Sequence, residues 1–99
     1  MYLKQIINGF KGLHDLGIMH RDFKLANVLI NNNLCKIADL GFAKKMKFNE
    51  LTYTKIGTKI TMAPEVIEGK GYGFNADIWS LGVVFYHMLY GKYPYIGVN

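Results

Sequence analysis

The segment Ala76–Tyr90, ADIWSLGVVFYHMLY, constrains this chain more than any other. With Asn75 ahead of it as a candidate cap, it reads as a helix that is apolar on nearly every face. Such a helix must be covered on all sides. Most of it, from Ile78 on, lies in the longest uncharged run, between Asp77 and Lys92, which holds Ser80, Gly82 and His87. That run falls short of the ~18 apolar residues that mark a membrane span, so a buried helix is expected. Cover is scarce, because a chain of 99 residues buries only about 60–70 % of its unfolded surface. A hydrophobic content of 51 %, with seven Tyr, six Phe and one Trp, excludes a disordered chain.

Charge and cysteine usage narrow the setting. Twelve basic against seven acidic residues give a formal net charge of +5. The lysines are scattered, densest at Lys44, Lys45 and Lys47, and no basic run is interleaved with aromatics. A solvated surface is therefore expected, with neither a nucleic-acid nor a membrane partner. The first residues, Met1-Tyr2-Leu3-Lys4-Gln5, do not open a secretory signal. One cysteine excludes an internal disulfide and a four-cysteine zinc site. Cys35 reads as a small buried hydrophobe, and the cysteine usage fits a reducing compartment, cytoplasmic or nuclear.

Along the chain, Leu3, Ile6, Ile7, Phe10 and Leu13 follow the spacing of an amphipathic helix, with Gly17 as its C-terminal stop. Ile18–His20 is short and apolar, a candidate strand. Val28–Ile30 and Leu34–Ile37 form a predicted hairpin around Asn31-Asn32-Asn33, since Asn tolerates left-handed turn positions. Periodicity is lost from Leu40 to Met62, which predicts a long loop of the length usually kept for function. Pro64 opens a short helix through Glu68, and Gly69–Gly73 is a turn. The fold class expected is mainly α with a small β-hairpin (α+β).

Two carboxylates and an amide carry the chemistry. Asn27 enters the hairpin and Asp39 leaves it, so two oxygen ligands converge on one side. Hard cations such as Mg²⁺ take one or two such ligands together with phosphates. Asp22 lies just ahead, with Lys24 adding positive charge beside it. This is an arrangement for phosphoryl transfer.

The ordered set His20-Arg21-Asp22-x-Lys24-x-x-Asn27, Asp39-Leu40-Gly41 and Ala63-Pro64-Glu65 resembles the C-terminal lobe of the eukaryotic protein kinases. Asp77-Ile78-Trp79-Ser80-Leu81-Gly82 likewise resembles that family's central buried helix, and the resemblance covers essentially the whole chain. It implies one partial kinase domain over 1–99: a helix before the catalytic loop (1–17), catalytic loop and hairpin (18–38), activation segment (39–65), then the central helix and a following turn (66–99). By matching position, it implies Asp22 as catalytic base and Lys24 as the lysine that steadies the transferring phosphoryl group, a spacing that favours Ser/Thr acceptors. Asn27 and Asp39 become Mg²⁺ ligands, and Leu29 the residue beneath the adenine of ATP. Thr58 becomes the threonine that bonds to Asp22 and Lys24, and Asp77 the buried carboxylate that holds the catalytic loop through backbone amides. His20 becomes a packing residue, with Leu40, Gly41 and Glu65 structural. Arg21 is expected to bind a phosphorylated loop residue, Thr54 first and Thr52 second.

The chain departs from the family pattern in places. Leu40 stands for the usual Phe and Phe23 for the usual Leu, both apolar exchanges. Lys59 and Thr61 stand where Pro or Ser and an aromatic are usual, which bears on substrate preference. Gly69-Lys70-Gly71-Tyr72-Gly73 is not a nucleotide loop, because Phe74 holds the third glycine's place and the order is wrong. No glycine-rich loop precedes the first helix, so the N-terminal lobe is expected to be absent, as are the late helices that partner Glu65 and cover Ala76–Tyr90. The function expected is a fragment of a Ser/Thr protein kinase, using ATP and Mg²⁺ on a protein substrate and inactive by itself. The alternative is a non-catalytic truncated lobe that acts as a binding fragment or is an inert gene product. Missing lobe segments or a regulatory protein are the further partners expected.

Overall fold

The computed structural model describes residues 2–47 and 49–94. Helix α1 spans Tyr2–Asp15 and buries Ile6 and Phe10. Ile7, which the spacing placed on the same stripe, is instead exposed. The fully buried seam is the narrow i, i+4 pair Ile6 and Phe10, and the covering elements also meet Gln5 and His14 beside it. Gly17 takes a left-handed φ of 77° just beyond the helix, as a C-terminal stop requires.

Strands β1 (Ile18–Met19), β2 (Val28–Asn31), β3 (Leu34–Ile37) and β4 (Lys44–Lys45) follow. The predicted hairpin is β2–β3, in register from Val28↔Ile37 to Asn31↔Leu34. Asn32 and Asn33 turn it with φ of 52° and 63°, the two left-handed positions a tight hairpin turn demands.

The long loop is more structured than its sequence predicts. β4 pairs antiparallel with β1, Ile18↔Lys45 and Met19↔Lys44. Thr52 and Tyr72 form an isolated bridge, and a 3₁₀ turn spans Lys59–Thr61. None of these features is more than three residues long, below the length at which periodicity shows. Helix α2 is Pro64–Ile67, with Pro in its first turn. Helix α3 is Asn75–Tyr90. Phe74, not Asn75, holds the cap position, and no side chain caps the helix there.

Helix α3 joins two apolar clusters. Ala76 packs with Met19, Met46, Met62, Ala63, Val66 and Tyr72 from the loop side. Leu81 and Val84 pack with Ile6, Phe10 and Phe23 from the α1 side. The segment from Met19 to Phe23 joins these clusters, Met19 packing in the first and Phe23 in the second. On the opposite face of α3, Ile78 and Trp79 are exposed, as are Leu89 and Tyr90 further on. A groove of about 690 Å³ lies there, lined by Glu65, Ile78, Trp79, Val83 and Tyr86 among others. Glu65 makes no ion pair among the described residues. Helix α3 is thus buried on one side and open on the other, not covered on all sides as its apolar sequence demands.

Candidate active site

The site is built on a carboxylate buried in α3. Asp77 is 1 % exposed and takes three donors. Its Oδ2 accepts the His20 backbone N–H at 2.7 Å and lies 2.9 Å from His14 Nε2. Its Oδ1 accepts the Arg21 N–H at 3.0 Å. Arg21 has φ of 72°, a left-handed conformation costly for a side chain with a Cβ. The paired amides hold the chain there and turn the next residue inward.

That next residue is Asp22, itself buried. Its N–H donates to His20 Nδ1 at 3.1 Å, while His20 Nε2 sits 2.9 Å from the Ala38 carbonyl. Only the neutral ring with its proton on Nε2 satisfies both contacts. His20 is fully buried against the paired rings of Phe10 and Phe23. It ties the segment before Asp22 to the strand end before Asp39.

Asp22, Lys24 and Thr58 converge. The Thr58 hydroxyl donates to Asp22 Oδ1 at 2.8 Å. Lys24 Nζ donates to Thr58 Oγ1 at 3.3 Å and lies 3.8 Å from Asp22 Oδ2. Gly57 makes this approach possible. Its φ is +122°, and a Cβ there would sit 2.7 Å from the Arg21 carbonyl oxygen.

Asn27 closes a 3₁₀ turn (Leu25–Asn27). Its Oδ1 accepts the Lys24 N–H at 3.0 Å, and its carbonyl accepts the Ala38 N–H at 2.8 Å. Asp39, one residue beyond that cross-hairpin bond, is exposed, with φ of 61°. Its Oδ1 accepts the Gly41 N–H at 3.3 Å. An amide oxygen and an exposed carboxylate at one hairpin end are hard donors that suit Mg²⁺ shared with phosphates. Among the described residues, no group of three or more His, Cys, Asp and Glu is gathered to hold a metal by itself. Leu29 is exposed on β2, and Leu40 is exposed beside Asp39.

Other sequence-derived positions fall further out. Arg21 Nε donates to the Phe42 carbonyl at 2.7 Å. Thr54 is exposed, and its carbonyl accepts the Tyr72 hydroxyl. Thr52 is buried and bridged to Tyr72. Cys35, expected to be buried, is only partly so and packs against the α1 cluster, where burial pushes its thiol up from the usual value. No helix among the described residues is long and apolar enough to cross a membrane.

The contacts of three residues at the site escaped the sequence reading, which singled out Thr61 only as a departure from the family pattern. His14 is the side-chain donor to Asp77 and packs against the Phe74 ring at 4.8 Å. Ser80 and Thr61 join α3 to the 3₁₀ turn after Thr58. The available signal was a hydroxyl in an otherwise apolar helix, which needs a partner once buried.

With this geometry in view, comparison with known proteins is direct. The protein kinase domain family matches residues 1–99. Over 99 residues, 96 % of this chain, it is 50 % identical to Mitogen-activated protein kinase kinase kinase 1 of Arabidopsis thaliana. It is 46 % identical over 97 residues (95 % of the chain) to Probable serine/threonine-protein kinase CCRP1 of Zea mays. It is 45 % identical over 96 residues (95 % of the chain) to Serine/threonine-protein kinase polo of Drosophila melanogaster. The chain belongs to the protein kinase family. It spans about 16–17 % of the length of these three relatives. Protein kinases use ATP with Mg²⁺, and the Zea mays and Drosophila melanogaster relatives carry the serine/threonine class in their names.

Proposed function

We propose that these residues are the catalytic centre of a Ser/Thr protein kinase C-terminal lobe, whose parent transfers the ATP γ-phosphate to Ser or Thr hydroxyls of proteins. The observation that carries this reading is the Asp22–Thr58–Lys24 contact set, with Thr58 Oγ1 2.8 Å from Asp22 Oδ1 and 3.3 Å from Lys24 Nζ. Asp22 orients the acceptor hydroxyl and takes its proton. Lys24 faces the phosphoryl oxygens and offsets charge that builds up in the transition state. Thr58 fixes the separation of the two, so neither collapses onto the other. Asn27 and Asp39 would hold Mg²⁺, which neutralises phosphate charge when bound. Leu29 offers an exposed apolar surface for the adenine.

Catalysis of this kind is positioning and charge stabilisation, and little covalent chemistry is asked of the protein. The relay from Asp77 to the His20 and Arg21 amides supplies the rigidity it needs. In this reading Arg21 exchanges its Phe42 carbonyl for a phosphate on Thr54, the exposed threonine of the pair. The lysines at 44, 45, 47 and 55 then gain a counter-charge that orders the loop. The 99 residues alone are expected to be inactive, since the remaining nucleotide contacts would come from chain outside them. The single free cysteine supports an intracellular setting.

The test is transfer of labelled phosphate from Mg²⁺-ATP by the full-length protein. Asp39→Ala should remove Mg²⁺-dependent nucleotide binding, measured by calorimetry, and with it the transfer. Unchanged transfer and binding would refute the metal assignment.

A further inference from the structure

Thr61 stands where the kinase pattern carries an aromatic residue, and its side chain is turned fully inward, 1 % exposed. It does not pack as a ring would. Its hydroxyl donates to the Thr58 carbonyl at 3.2 Å. Its own carbonyl accepts the Ser80 hydroxyl at 2.6 Å, from a buried position on α3. Ser80 also reaches the Ala76 carbonyl one helical turn back, at 3.3 Å. A continuous path thus runs from the α3 backbone through Ser80, Thr61 and Thr58 to Asp22 and Lys24. The cavity beside it, lined by Asp22, Thr58, Thr61, Asp77 and Ser80 among others, is only about 20 Å³. That is room for a single water and not for an aromatic ring.

We infer that Ser80 and Thr61 are positioning residues for phosphoryl transfer, a hydrogen-bonded strut that replaces the missing ring and sets Thr58 between Asp22 and Lys24. The inference rests on the kinase reading above. The geometry gives the strut its leverage. Thr58 has a single hydroxyl, and it both donates to Asp22 and accepts from Lys24. A carbonyl held at its own residue and a carbonyl held three residues on leave the 3₁₀ turn little freedom to rotate. Without the strut the turn keeps only its backbone bonds, Thr61 N–H to the Thr58 carbonyl and Met62 N–H to the Lys59 carbonyl, both at 3.1 Å, and Thr58 shifts from its bridging position while ATP contacts on the hairpin side stay intact. The effect therefore belongs in kcat for the protein substrate, and not in the KM for ATP.

The experiment measures steady-state phosphorylation of a Ser peptide by the full-length protein and its Thr61→Val, Thr61→Ser and Ser80→Ala variants. Thr61→Val keeps shape and removes the hydroxyl. We expect kcat to fall on the order of tenfold, the effect of one hydrogen bond realised in the transition state. The KM for ATP should stay within about twofold, and Thr61→Ser should restore kcat to within about twofold. Ser80→Ala should lower kcat likewise, and the double variant should lose little more than either alone, as members of one strut do. Should Thr61→Val fail to fold, Ser80→Ala against Thr61→Ser carries the same comparison. Unchanged kcat in Ser80→Ala and Thr61→Val overturns the strut. So does equal loss in Thr61→Val and Thr61→Ser, or full additivity in the double variant. An unmodified protein that transfers no phosphate overturns the kinase reading instead.

Discussion

Replacing Asp77 by asparagine perturbs the site at its root and should do so unevenly. The carboxylate is buried and serves three donors, two on Oδ2 and one on Oδ1. An asparagine keeps one acceptor oxygen. The arrangement that saves most bonds leaves that oxygen on His14 and the His20 amide. The new NH₂ then faces the Arg21 N–H, donor against donor. A lost hydrogen bond to a charged acceptor costs about 1.5–3 kcal/mol. Arg21 also holds φ of 72°, a conformation that costs roughly 1–2 kcal/mol by itself and is sustained by that bond. Local opening at Arg21 should become easier by about 2–3 kcal/mol, a 30- to 150-fold fall in amide protection. The assay is native-state hydrogen exchange on the full-length protein, read at single residues. Arg21 should lose protection by that factor and His20 by much less. Asp77→Ala should expose both. Protection at Arg21 within about twofold of the unmodified protein would refute the claim that Asp77 holds this loop.

Other outcomes follow from the same contacts. Gly57→Ala forces a Cβ to within 2.7 Å of the Arg21 carbonyl oxygen at a φ of +122°, so it should cost about 1–3 kcal/mol in denaturant unfolding. It should also separate Thr58 from Asp22, lowering transfer. A stability within error of the unmodified protein would contradict the packing described. Thr54→Ala in the parent should lower activity about tenfold or more and increase loop exchange, since it removes the phosphate expected to pair with Arg21. Unchanged activity and loop protection would sink Thr54 as the phosphosite.

Much of this molecule is legible in its sequence where one residue type answers one local demand. Asn32 and Asn33 announce the turn because few other residues accept two left-handed positions. Pro64 opens α2 for a similarly local reason. The motif residues Asp22, Asn27 and Asp39 are legible by order and spacing, and the hairpin bond from Ala38 to Asn27 does bring their ends together. What stayed hidden is non-local. The β1–β4 pairing joins Met19 to Lys44 across the intervening hairpin and is too short to leave a periodic trace. Ile7 fits the helical stripe but not the narrower seam that α1 presents. His14 and Asp77 are 63 positions apart, and neither signals the other. Thr61 was visible only as a departure from a pattern. Its partner, Ser80, gives that departure a physical use.

The central claim is that Asp22, set by Thr58 and Lys24, directs phosphate to an aliphatic hydroxyl. The most direct measurement offers the full-length protein Mg²⁺-ATP with matched peptides that differ only in Ser, Thr or Tyr as acceptor. The predicted result is transfer to Ser and Thr, little to Tyr, and a loss of at least about a thousandfold in Asp22→Asn at unchanged ATP affinity. Transfer that survives Asp22→Asn, or that favours Tyr, would contradict it.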